Sequence, residues 1–419
     1  MVHHTMNSNS SRAPRASSKS NVMAAGSWAL RVVCIIGLAG VLASCAVYSP
    51  PPAVPPAGSP GAVTPGVTTP SSALPPAAQA PVIPPVPGTL LQLKSRWIPV
   101  PWSELPGFDN DRLFEAWNAW IKSCERPGPA LASLCSEVRR LSIAGEPEQR
   151  AWMVSRLQPY RVESLQGIAQ GLLTSYYEPV LNASRQAGPG YSVPLYRPPA
   201  SLATRKPWFT RQEIDTLPDA QAGLRGREIA WLEDPIDALV LHIQGSGRLR
   251  IQEADGSRRV VRVAFAGSND QPYRSVNQWL LDQGVTRINP WPDATKAWAA
   301  QNPQRLQQLL WSNPRYIFFR EETLAEPDAG AGPRGAQGVP LTAGRSIAVD
   351  KDSIPYGTPV WLASTGPTAQ LQKLVLAQDT GSAILGAVRA DYFAGTGPEA
   401  GQFASRMNQP LRLWVLWPK

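Results

Sequence analysis

Apolar positions in this 419-residue chain are spread unevenly, and their spacing predicts the elements. The first unbroken apolar run is VVCIIGLAGVLA, Val32 to Ala43. It is too short to span a bilayer as a mature helix. Arg12, Arg15, Lys19 and Arg31 precede or open it, without an acid among them. That layout is a secretory signal peptide, here 1–45. Residues 46–90 follow, rich in Pro and Ala, with no charge and no hydrophobic period, which reads as a disordered or polyproline-like tether.

A helical period starts near residue 110. Leu113, Phe114, Trp117, Trp120 and Ile121 share one face of an expected helix. LASLCSEVRRLSI and EPEQRAWMVSRLQPY extend the helical pattern to about Tyr160. The chain then turns strand-like. GLLTSYYEPVLNAS predicts a strand and a turn. DALVLHIQGSGRLRIQEADGSRRVVRVAFAG, from Asp237, predicts strands joined by glycine-bearing turns. PYRSVNQWLLDQG predicts a helix, two short helical stretches follow, and RYIFFRE predicts a strand. The last part is a run of short strands, SIAVD, PVWLAS, KLVLAQD and LRLWVLW, separated by Gly and Pro, as in a small β-barrel or sandwich.

Composition refines this picture in two places. Hydrophobic residues make up 43% and charged residues 17%, which suits a globular protein, and the 44 prolines concentrate in the tether. The formal charge of +9 falls to +5 once the four basic residues of the signal segment are removed. That is mildly basic and no signature of nucleic-acid binding. With Cys34 in the signal segment, Cys124 and Cys135 remain in the folded part, flanking a Pro/Gly loop between helical stretches. In an oxidising compartment this pair predicts a disulfide, with two buried thiols as the alternative.

Candidate chemistry is narrow. His242 is the one histidine beyond the signal segment, so neither a zinc site nor a dispersed Ser-His-Asp triad is indicated, although Ser246 lies four residues on. GSGR lacks the lysine of a phosphate loop. No metal and no cofactor are expected. Carboxylates remain: Asp350, Asp379 and Asp391, each at or near the end of a strand-like run among small and apolar residues. Such surroundings raise a carboxyl pKa, and a group that stays protonated near neutrality is a general acid for cleaving a glycosidic bond. Turn or capping roles are the competing explanation.

SYYEPVLNAS, HIQGSGRLRI, YIFFRE, GVPLTAGRSIAVDKDSIPYGTPVWL, AQDTGSAILGAVRADYF and GTGPEAGQFASRMNQPLRLWVL occur in one order over most of 90–419. In this set the chain resembles the membrane-bound lytic murein transglycosylase A family. Leu42-Ala43-Ser44-Cys45 likewise resembles a bacterial lipobox, which would leave Cys45 lipidated, and Ala46 favours the outer membrane. Translation starting at Met6 or Met23 would fit the long leader.

The resemblance implies a mainly β fold with N-terminal helices. A main domain, 91–178 and 336–419, would carry a double-psi β-barrel. A β-rich substrate-binding domain, 179–335, would be inserted into it, with a glycan groove between them. It implies that Asp391 is the catalytic acid and that Asp379 helps set its pKa. It implies sugar contacts from Tyr176, Tyr177, Gln244, Gly245, Ser246 and Gly247. The implied reaction cuts the β-1,4 bond between N-acetylmuramic acid and N-acetylglucosamine and forms a 1,6-anhydro sugar. The implied setting is the periplasmic face of the outer membrane. Partners would be peptidoglycan strands and candidate cell-wall synthesis or division proteins, with no nucleic acid. The alternatives are a non-catalytic peptidoglycan-binding lipoprotein and a true glycoside hydrolase using Asp350. The family often has Asp-x-Gly-Gly-Ala-Ile-Lys where this chain has Asp379-Thr-Gly-Ser-Ala-Ile-Leu, so Ser382 and Leu385 are departures.

Overall fold

The computed structural model describes residues 86–285, 291–324 and 330–419. The signal segment, Cys45 and the tether up to residue 85 lie outside the described residues. The described chain opens with a hairpin of β1 (Leu90–Leu91) and β2 (Ser95–Pro99). Three helices follow: α1 (Leu113–Ser123), α2 (Cys135–Arg140) and α3 (Glu146–Arg156). Leu113, Ala116, Trp117 and Trp120 form the buried face of α1, at the i, i+3, i+4, i+7 spacing of one helix side. Phe114 does not belong to that face. It is one residue, about 100° of helix, from Leu113, and it is exposed. Trp152 packs edge-on against Trp117 and Trp120, which are tilted against each other, with centroids 5.2–5.7 Å apart. A disulfide joins Cys124, which caps α1, to Cys135, which starts α2. The helical pattern ends earlier than expected, because β3 (Leu157–Ser164) takes over directly after α3.

β4 (Gly171–Glu178), β11 (Ser346–Val349), β12 (Pro359–Thr365), β13 (Gln370–Asp379), β14 (Arg389–Thr396) and β15 (Asn408–Pro418) form a ring. Its order is β15-β12-β13-β11-β14-β4, and β4 pairs back onto β15, so this sheet closes as a six-stranded barrel. β4 runs parallel to β14, and β11 parallel to β13. β3, β2 and β1 extend the sheet from β15. Alternation decides which side chain goes where. Val360 and Leu362 of β12, Val375 and Ala377 of β13, and Leu413 and Val415 of β15 share the barrel interior. Their neighbours Trp361, Leu374, Leu376, Trp414 and Leu416 form one core with α1–α3. These strands are buried on both faces, so in sequence they read as continuous apolar runs.

The second sheet comprises β5 (Val180–Ser184), β6 (Val193–Tyr196), β7 (Glu228–Leu232), β8 (Ser246–Gln252), β9 (Arg258–Ser268) and β10 (Ile317–Thr323). Its order is β10-β9-β8-β5-β7-β6. Tyr196 at the end of β6 packs with Tyr316 and Phe318, which brings the two outer strands together and nearly closes this sheet too. Around it lie α4 (Arg211–Thr216), α5 (Pro218–Leu224), α6 (Pro235–Gln244), α7 (Val276–Asp282), α8 (Asp293–Gln301) and α9 (Leu306–Trp311). The run DALVLHIQ is therefore a helix and not the strand its apolar content predicts. Asp234 accepts a hydrogen bond from the Ile236 amide at 2.7 Å, Pro235 occupies the first turn, and Gly245 ends the helix at φ 80°. α6 buries Ile236, Ala238, Leu239, Val240, Leu241 and His242, so little polar face is left to reveal its period.

One extended segment passes straight from barrel to second sheet, β4 becoming β5 across Pro179. Glu178, fully buried at that crossing, accepts from Arg248 of β8 (2.9 Å), Arg262 of β9 (2.6 Å) and Thr396 of β14 (2.7 Å). This clamp ties the two sheets together at the crossing, and a cleft lies between them.

Candidate active site

Ala348 of β11 is in register with Asp379 on one side and with Asp391 on the other. The connection from β13 to β14, residues 380–388, therefore passes over the end of β11. Two strand spacings separate the aspartate backbones, roughly 10 Å. The next layer comes from β4. Its register with β14 sets Thr174 opposite Asp391 and Tyr176 opposite Phe393.

Asp391 is half-buried, and the Thr174 hydroxyl donates to its Oδ1. Thr174 in turn accepts from Arg389 Nη2 at 2.7 Å. Burial pushes the Asp391 carboxyl above its ordinary range, against the opposing pull of Thr174 and the Arg389 charge. Asp379 is held differently. Its Oδ1 accepts from the Ala336 amide at 2.9 Å and its Oδ2 from the Tyr176 hydroxyl at 2.8 Å. Burial raises its pKa as well, with the Thr380 amide, Tyr176 and Ala336 acting against it and Asp391 adding a smaller upward push. The preceding Gly335 has no room for a side chain: a Cβ would lie 2.5 Å from the Gln378 carbonyl and 3.2 Å from Asp379 Cβ. Burial also holds the Tyr176 phenol well above its usual value, with the Asp379 charge next in importance, so it remains a donor.

Two connected cavities make up the cleft. The smaller, about 340 Å³, is lined by Asp391, Thr174, Arg389, Ser275, Asn277 and Trp291 among others. The larger, about 570 Å³, reaches Asp379, Gly245, Ser246, His242 and several arginines. Tyr176, Ile243, Gln244, Tyr273, Gly381 and Ser382 line both, so the two are one continuous channel with an aspartate in each part.

The residues singled out from the sequence divide. Tyr176, Gln244, Gly245 and Ser246 reach the cleft. Tyr177 and Gly247 line neither cavity. Tyr177 packs beside Ile236, Val240 and Ala299, and burial, then the Asp237 charge, pushes its phenol up to about 12. Its amide donates to Gln244 Oε1 at 3.0 Å, which positions that side chain. Gly247 sits where a Cβ would strike Leu241 Cδ1 at 2.5 Å. Asp350 is also away from the cleft. It accepts from Lys94 Nζ (3.0 Å) and the Gly386 amide (2.9 Å), and these bonds outweigh its burial and hold it below the ordinary carboxylate range. His242 is buried with Nδ1 2.9 Å from Arg211 Nη2 and its ring against Tyr316. Burial and then the arginine charge drive its pKa well down, so it stays neutral. Ser382 lines both cavities, whereas Leu385 is an exposed apolar side chain that lines neither. Thr174 and Arg389 were not singled out. Period-two spacing from Tyr176 and Asp391 places each on the same strand face as its neighbour, and that was the available signal.

The sequence profile of the MltA specific insert domain matches residues 172–320, and that of the 3D domain matches residues 345–417. The solved lytic transglycosylase LtgG of Burkholderia pseudomallei is 41% identical, with 77% of this chain and 95% of that one covered and a TM-score of 0.54. The chain belongs to the lytic murein transglycosylase A family. A solved MltA of Neisseria gonorrhoeae, 28% identical, covers 82% of this chain and 98% of its own at TM-score 0.65. The membrane-bound lytic murein transglycosylase A of Vibrio cholerae is 30% identical over 256 residues, 58% of this chain. The match spans 65% of that relative's own length. Both aspartates fall within the span matched by the 3D domain.

Proposed function

We propose that the protein is a peptidoglycan lytic transglycosylase and that Asp391 is its acid and then its base. The observation that carries the reading is the unequal state of the two cleft carboxylates. Asp379 has both oxygens engaged by protein donors, whereas Asp391 has one described donor, a raised pKa and an open cavity before it. A protonated Asp391 can hand its proton to the glycosidic oxygen between N-acetylmuramic acid and N-acetylglucosamine. The oxocarbenium-like sugar then needs a nucleophile. A hydrolase would need a second free carboxylate across the cleft to activate water. Asp350, the candidate for that role, faces elsewhere. The 6-hydroxyl of the same muramic acid is already in place, and Asp391, now a base, takes its proton as it attacks C1. The product is a 1,6-anhydro ring, and intramolecularity supplies the advantage over water.

The relatives' printed names call them membrane-bound, and among the described residues no helix is long and apolar enough to cross a membrane. We infer a lipid on Cys45 at the periplasmic face of the outer membrane, with 46–90 as the tether. Metabolic labelling with a fatty acid, lost on Cys45→Ser, tests it.

The deciding experiment is a digest of murein sacculi by the protein and by Asp391→Asn, scored by mass spectrometry. Anhydro-muropeptides from the first and none from the second are expected. Reducing ends would make it a hydrolase, and no product from folded protein a binding module.

A further inference from the structure

The larger cavity carries charge that cutting a neutral glycosidic bond does not require. Arg126, Arg315, Arg320 and Arg334 line it, and Asp379 is its one lining carboxylate among the described residues. Arg320 is paired with Glu322 at 2.7 Å. Among the described residues Arg126, Arg315 and Arg334 have no carboxylate at ion-pairing distance. Arg315 Nη1 donates to the Gln271 carbonyl and Arg334 Nη1 to the Gly338 carbonyl, each at 3.2 Å. A guanidinium has five N–H donors, so both keep donors to spare.

The arginines also come from both sides of the cleft. Arg315 precedes β10 of the second sheet, Arg126 follows α1, and Arg334 lies in the loop that delivers Ala336 to Asp379. Arg126 and Arg334 meet at Gly338, which sits at φ 84° with an added Cβ only 2.7 Å from Arg126 Nη1. Like charges brought together in a confined space raise the local affinity for an anion with several oxygens, and arginine forks match carboxylates in geometry.

Resting on the transglycosylase reading, we propose that this cavity seats the acidic peptide stem carried by the lactyl group of N-acetylmuramic acid, so that the enzyme selects peptide-bearing over stripped glycan. The two cavities share Tyr176, Gln244 and Ser382, so a strand cut at Asp391 has its acidic branches beside the arginines.

The test compares kcat/KM for anhydro-product release from peptide-bearing strands and from the same strands stripped by an amidase. The enzymes are wild type, Arg126→Gln/Arg334→Gln and Arg315→Gln. Wild type is expected to prefer peptide-bearing strands about tenfold or more, and the double variant to lose most of that ratio. Raised salt should erode it too, since two of the three arginines are exposed. The double variant removes exposed side chains and so keeps its melting temperature. Equal wild-type rates on both substrates, or a ratio unchanged in both variants, overturn the proposal. Calorimetry with the free stem peptide is independent of cleavage. Heat with wild type that is lost in the double variant supports the site even if no anhydro product forms, which would instead remove the transglycosylase reading. No heat with wild type overturns the site.

Discussion

Thr174 stands opposite Asp391 across the parallel pair of β4 and β14, and its hydroxyl donates to the Asp391 carboxylate while accepting from Arg389. The threonine is thus a relay from the half-buried Arg389 to the proposed acid, in a role that the family resemblance implied for Asp379. Thr174→Val keeps the volume and removes the relay. The hydroxyl favours the ionised form, so without it the Asp391 pKa rises further and the alkaline limb of the pH–rate profile moves to higher pH. kcat should fall about tenfold, the scale of one lost hydrogen bond to a charged group. A profile with an unmoved alkaline limb would remove Thr174 from the argument.

Asp391 also links activity to stability. Its folded pKa lies above its unfolded value, mainly through burial. Between those two values the native state binds more protons than the unfolded one, so stability falls as pH rises through the folded pKa. Asp391→Asn has no charge to bury and still accepts from Thr174. Its melting temperature should match wild type near pH 4 and exceed it by about 2 °C near pH 7. Thermal melts across that range measure the difference. A variant no more stable at neutral pH would mean that burial does not penalise the charge.

Tyr176→Phe separates two jobs of one side chain. The ring packs on Phe393 at 5.3 Å and is retained, while the bond to Asp379 Oδ2 is lost. Tyr176 holds Asp379 toward its ionised form, so the Asp379 pKa should rise. We expect kcat to drop by about tenfold with KM changed less than twofold, because cavity shape is kept. A change confined to KM would assign Tyr176 to substrate binding alone.

Glu178→Ala tests the clamp between the sheets. It leaves the buried Arg262 and the half-buried Arg248 with the Ala331 carbonyl but without the shared carboxylate. Breaking such a buried ion pair from one side costs about 3–5 kcal/mol. Denaturant titration should show that loss, and activity should fall with it as the link between the two sheets loosens. Near-normal stability would mean that the remaining partners, the Ala331 carbonyl among them, suffice and the clamp is dispensable.

The chain itself settled much of this protein. Apolar runs such as KLVLAQD and LRLWVLW announced the buried strands β13 and β15, because strands covered on both faces need no polar alternation. The family motifs carried Asp379, Asp391 and Gln244. Other features had no local signature. α6 looked like a strand because burial on nearly every side erased its period, and only the Asp234 cap and Gly245 stop marked it. β14 was hidden in a stretch of small residues. Tyr176 and Tyr177 are equal neighbours in sequence, yet strand alternation sends one to the cleft and the other to the core. What only the tertiary structure decided was partnership. Register across β11 sets the two aspartates on either side of Ala348, register across β4 hands Thr174 to Asp391, and a loop more than forty residues before Asp379 in sequence returns Ala336 to it. Hydrogen bonds and pKa shifts depend on distances of a few ångströms, and those distances exist only once residues far apart in the chain have been folded together.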